Sequence, residues 1–341
     1  MPARFRPVVL LALAAGVAVA LALGLLFGST SLPFADVLGA LTHGTADDPS
    51  TILVRELRLP RVLMAALVGG ALASAGAAMQ GLFRNPLADP GLVGVASGAA
   101  VAAVFSIVAA DSLDIPAAFT PWFTPFAAFF GGLVAATLAA RLALTDGYTR
   151  VATLLLAGLA INAIAGAGIG LLTQLAGDSA LREVTFWLFG SLSKSGWREI
   201  AAVAPLLILV MLWLPREARA LNALLLGEAE ARHLGIDVER LKRRLMALIV
   251  LAVALSVAAA GVIGFVGLVV PHLLRLALGP DHRWLLPASA LGGAALLGFA
   301  DLGARTLLSP AEMPVGILTA LVGGPVFLGM LLGWRRRVET W

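Results

Sequence analysis

Long apolar runs separated by short polar breaks dominate the chain. A bilayer-crossing helix needs roughly 20 mostly apolar residues. On that measure the pattern predicts elements at Pro7–Phe27, Val62–Phe83, Leu92–Ala110, Pro121–Leu142, Val151–Leu175 and Ile200–Leu214. After a charged stretch come Leu245–Val266, Gly267–Leu278, Leu285–Leu302 and Val315–Leu332. All but Gly267–Leu278 read as long enough to cross. The run behind the basic stretch Met1–Arg6 is longer than the apolar core of a secretory signal, roughly 7–15 residues, and further spans follow it. It is therefore read as the first span. The expected architecture is an all-α integral membrane protein of about ten helices, one transmembrane domain over 1–341, with a single long inner loop at 215–244.

Composition sharpens this. Hydrophobic residues make up 60% of the 341 and charged residues 13%, against roughly 25% charged in soluble domains. Mean hydropathy is +0.96. A soluble globule and a disordered chain are both excluded. The absence of cysteine excludes disulfides, thiol nucleophiles and thiolate metal sites. Four histidines and one tyrosine leave little for a membrane-embedded enzyme. An even number of spans puts both termini on one side. That side carries the larger share of the 24 Lys and Arg, including Arg84, Arg141, Arg150 and the 216–244 cluster. It is therefore cytoplasmic, and the basicity reports orientation rather than nucleic-acid binding. Arg55, Arg58, Arg61, Arg182, Lys194, Arg198 and Arg305 fall outside.

Glycine and alanine cluster inside the spans, as in Gly69-Gly70, Gly131-Gly132, Gly166–Gly170 and Gly292-Gly293. Helices in lipid associate through close backbone approach, so these positions predict tight helix contacts. Residues 221–235 read as two short helices, with Gly227 weakening the middle and Gly235 as a stop. Their apolar side is assigned to Leu221, Leu224, Leu225, Ala229 and Ala231. The polar side begins with acids, Glu228 and Glu230, so a protein partner fits better than anionic lipid. No Walker arrangement surrounds Lys194 or Lys242. Acids at membrane depth, the usual mark of an ion-driven carrier, are nearly absent. Asp301 is the exception and is assigned to an ion pair with Arg305 at i+4. The chain reads as a passive path driven by a partner. A secondary carrier is the rival class.

Several motifs then resemble one family. Arg58-Leu59-Pro60-Arg61, the run Gln80–Pro90, Leu156–Asn162, Gly264–His272 and Glu312-Met313-Pro314-Val315-Gly316 are similar to the iron-chelate and cobalamin permeases of ABC importers. Met313 stands where the family often has leucine, a volume-conserving change. The resemblance implies a homodimer with the path along its axis, two ATP-binding cassette subunits inside and a periplasmic binding protein outside, in a bacterial inner membrane. It implies no cofactor on this chain, with ATP and Mg used by the partner. It assigns ATPase coupling to Leu221, Asn222, Leu225, Gly227, Glu228, Ala231, Arg232, Leu234 and Gly235. It assigns binding-protein docking to Arg58, Arg61 and Arg305. Asn162, Gly166, Gly170 and Arg182 are expected along the path. The stretch Leu181–Leu192 looks like the haem-type branch, which favours haem over ferric siderophore or cobalamin. Arg182 is left open between a propionate, Glu183 and the binding protein. His233, His272 and His282 are not read as haem ligands.

Overall fold

The computed structural model describes residues 5–338 except 46, 146 and 147. Its helices are α1 (Phe5–Leu26), α2 (Phe34–Thr42), α3 (Pro49–Ile52), α4 (Leu59–Leu82), α5 (Val95–Ala109), α6 (Thr120–Ala143), α7 (Val151–Gln174), α8 (Asp178–Leu188), α9 (Trp197–Trp213), α10 (Ala218–Leu224), α11 (Glu228–His233), α12 (Val238–Ala260), α13 (Val266–Leu278), α14 (His282–Thr306) and α15 (Val315–Val338). The ten expected spans correspond to α1, α4, α5, α6, α7, α9, α12, α13, α14 and α15. The outer helices α2 and α8 are additions that hydropathy did not mark.

Two spans are too short to cross the hydrocarbon core as straight helices. At about 1.5 Å per residue, α13 covers about 20 Å and α5 about 22 Å, against a hydrocarbon core of about 30 Å. The apolar run assigned to α5 is long enough. Its first part is diverted into a tight turn at Pro90–Val93, where Gly94 takes φ 86° and restarts the chain as helix. The run before α13 is broken by Gly261 and by Phe265, which sits at φ 68°. The α13 run was already expected to be short. The α5 shortfall was not.

Helix α4 lies at the centre. Most residues from Val62 to Leu82 are buried, although they are mainly Ala, Gly, Val and Met with no polar face. It touches α14, α12, α13 and α9. The α4–α14 contact is made glycine against glycine. A Cβ at Gly69 would fall on the Gly293 carbonyl oxygen, and a Cβ at Gly293 on that of Gly69. Helices α5 and α6 repeat the device at Gly98 and Gly131. Without a hydrophobic force between helices in lipid, such contacts supply dispersion by letting backbones meet. The glycine clusters in the sequence thus mark real seams at Gly69, Gly131 and Gly293.

Candidate functional site

Three groups of residues are brought together along the bundle: an ion network at the outer end, a cavity beside α7, and the short helix pair on the inner face.

At the outer end Arg61 of α4 donates from Nε to Asp301 of α14 at 2.9 Å. Its Nη1 reaches Glu312, ahead of α15, at 2.9 and 3.0 Å. Arg305 meets Asp301 one turn away at 3.1 Å and donates to the Gly24 carbonyl of α1. Arg58 donates to the carbonyls of Leu25, Leu26 and Thr30. The expected Asp301–Arg305 pair is therefore present, but the docking assignment for these arginines needs correction. Arg58 and Arg305 are only 4% and 3% exposed, and Arg61 is largely enclosed. Their guanidinium groups face carbonyls and carboxylates of this chain rather than open solvent, although Arg305 Nε makes no hydrogen bond. Burying a guanidinium is costly unless its donors find acceptors, and these carbonyls and carboxylates offset most of that cost. Among the described outer cations, Arg182, Lys194 and Arg198 are exposed. Glu183 pairs with Lys194 at 2.5 Å rather than with Arg182.

Beside α7 a cavity of about 310 Å³ is lined by Ala96, Ser97, Asn162, Gly166, Leu188 and Val262 among others. Ser97 of α5 donates to Asn162 of α7 across it. Asn162 and Gly166 thus share one space. Gly170, one turn on, has nothing within 4 Å of an added Cβ, so its face of α7 is open. Arg182 does not line this cavity.

On the inner face α10 and α11 form the two short helices expected. The turn between them needs Gly227, which has φ 135°. Gly235 ends α11 at φ 83° and leaves room for a side chain. Of the expected apolar side, Ala229 is exposed, but most of the rest turns into the bundle. Leu221, Leu224 and Ala231 are fully enclosed within this chain, and Leu225 is half-buried. Leu221, Leu224 and Ala231 are packing residues of the bundle. The large apolar side chains presented outward are Leu226 at 68% and Leu234 at 64% exposure. Leu226 had no signal of its own in the sequence; its exposure follows from the turn at Gly227. Glu228 meets Lys242 of α12 at 2.9 Å and Arg232 at 3.6 Å. Lys242 also meets Glu239 at 3.1 Å and is almost fully enclosed. Asn222 faces inward to Asp281 and His282. Of the nine assigned coupling residues, Glu228, Arg232 and Leu234 reach the surface as side chains.

His282 is buried and bonded to Asn222, and His233 is exposed on the inner face; neither borders the α7 cavity. His272 does not border it either. Among the described residues no group of three or more His, Asp or Glu is placed to hold a metal.

A bundle of apolar helices, a mainly apolar cavity at mid-helix that holds Ser97 and Asn162, and a paired amphipathic element on one face define a polytopic permease of the cytoplasmic membrane. The chain belongs to the FecCD transport family, whose model matches residues 15–333. It is 45% identical over 338 residues to the hemin transport system permease protein HmuU of Yersinia pestis, covering 99% of both chains. It is also 45% identical over 284 residues to the cobalamin import system permease protein BtuC of Halobacterium salinarum, covering 83% of this chain and 74% of that one. A solved structure described as a metal-chelate type ABC transporter in an inward-facing conformation superposes with a TM-score of 0.83 at 31% identity, covering 96% of this chain and 99% of that one.

Proposed function

We propose that this permease moves haem inward as the membrane subunit of an ATP-driven importer, working as a homodimer with two ATPase subunits below and a soluble binding protein above. The observation that carries the cargo is the match to a hemin permease along the whole chain. The cobalamin relative is as similar but over a shorter stretch, and it supports cobalamin as the second reading.

The geometry fits this assembly. Residues on the open side of α7, among them Leu156, Leu159, Ile164 and Leu171, are exposed in a single copy. A second copy facing this side would enclose a path that includes the Asn162–Gly166 cavity. Leu226 and Leu234, set around the acidic start of α11, suit an apolar groove on an ATPase subunit. ATP-driven motion of that subunit would then move α10 and α11, and the helices behind them, between two packings.

Uptake into proteoliposomes holding the complete complex tests the cargo. Haem uptake that depends on ATP and on the binding protein is expected, with no accumulation of cyanocobalamin. Cobalamin uptake without haem uptake would replace the first reading by the second. Uptake by the permease alone under a proton gradient would overturn both.

A further inference from the structure

The inner ends of the helices hold a polar cluster that the proposed path does not use. Asn222 of α10 donates from Nδ2 to Asp281 Oδ1 at 2.7 Å. Its Oδ1 accepts from the His282 backbone N–H at 2.8 Å. The same oxygen lies 2.9 Å from His282 Nδ1. An amide oxygen only accepts, so the imidazole proton sits on Nδ1. Every polar atom of one amide is thereby committed to the first turn of α14. Asp281 also caps that helix through the Arg283 N–H at 3.1 Å. Its carboxyl is held well below the usual carboxylate range, chiefly by its hydrogen bonds from Arg283 and also by that from Asn222.

His282 is fully buried. Its Nε2 has no hydrogen-bond partner and lies against Gly81 of α4, where an added Cβ would collide with the ring. The ring is thus wedged between α10 and α4. Helix α14 is in turn sealed to α4 at Gly69–Gly293. At its outer end Asp301 ties it to α4, Arg305 to α1, and the Ala304 carbonyl to Met313 before α15. One continuous helix runs from the coupling element to the outer ion network.

We infer that Asn222 is a positioning residue, a clasp through which α10 drives α14, rather than a contact to the ATPase. The inference rests on the coupling role proposed above for α10 and α11. A polar clasp suits this task better than apolar packing. Hydrogen bonds fix the angle of α10 against α14, whereas Leu221 and Leu224 can slide within the core. The clasp also accounts for an asparagine at this position. A hydrophobic residue would leave Asp281 and the two His282 donors without their partner, and an acid would face Asp281 at hydrogen-bond distance.

The test uses the whole complex in proteoliposomes and reads both ATP hydrolysis and cargo uptake. In Asn222→Ala, basal hydrolysis and ATPase binding are expected to persist. Uptake per ATP is expected to fall about tenfold, within the range typical of coupling between sites. Asn222→Asp should fail in the same way. A purely structural role would change melting temperature and amount of complex, but not this ratio. Unchanged uptake per ATP in Asn222→Ala would overturn the inference. Should that variant fail to assemble, the isosteric Asn222→Asp decides: wild-type uptake per ATP in it would equally overturn the inference. Wild-type complex lacking ATP-dependent uptake would instead sink the importer reading itself.

Discussion

Asp301 is 1% exposed and receives two arginines, Arg61 and Arg305. Removing one partner of a buried ion pair typically costs about 3–5 kcal/mol, because a charge is left without compensation. Asp301→Asn should therefore lower the melting temperature of the purified permease sharply, and Arg182→Gln should leave it unchanged. Equal melting of the two would show that the outer network carries no stability. Gly69→Val should prevent the α4–α14 seam from closing. Overpacking a tight interface costs about 1–3 kcal/mol or more, and a backbone oxygen cannot rotate away. Gly170→Ala meets open space and should melt like the wild type. The presence of these residues was legible in the sequence, and so was the i+4 pair Asp301–Arg305. The fate of Arg58 and Arg61 was not. Their acceptors lie on α1, α14 and the segment before α15, far away in the chain, and only the fold makes them neighbours. An outer arginine reads alike in sequence whether it faces water or a buried carboxylate.

At the scale of the element, the helix pair α10–α11 separates packing from recognition. Leu221→Ala deletes a fully buried side chain and should cost about 2–5 kcal/mol of stability, seen as a lower melting temperature. Leu226→Asp and Leu234→Asp alter exposed positions. They should leave melting intact and weaken binding of the ATPase subunit by about tenfold or more, as expected when central apolar anchors of an interface are lost; a pull-down titration reads this directly. If Leu226→Asp binds normally, the outward leucines are not the contact. The existence and breakpoints of both helices could be read from Gly227 and Gly235. Which leucines point out could not. A six-residue helix has too few turns for a periodicity to stand out, and the positive φ at Gly227 reorients everything after it. Helices α2 and α8 went unmarked for a related reason: both are short amphipathic elements beside much stronger apolar runs.

For the whole molecule, hydropathy located ten spans because lipid demands one thing of a crossing segment: that its backbone be satisfied within a helix. That rule also explains what the short spans require. Helices α5 and α13 are too short, so non-helical backbone lies at membrane depth and must find partners elsewhere. It does so between α12 and α13, where the Val262 N–H donates to the Trp187 carbonyl and the Ser191 N–H to the Ala260 carbonyl. Val315 and Gly316 at the start of α15 donate to Gly190 and Phe189. Main-chain groups from α8, α12 and α15 thus meet in one knot at the rim of the α7 cavity. Nothing in a single hydropathy profile announces such a knot, since its strands come from three distant parts of the chain.

That knot has a consequence for how such a permease can change its cargo. Its ties run from amide to carbonyl, so they hold whatever side chains Leu188, Phe189 and Val262 carry, provided Gly190, Gly261 and Gly316 keep the space for it. Evolution can therefore repaint this stretch of the cavity's rim, making it wider, flatter or more polar, without loosening the frame around it.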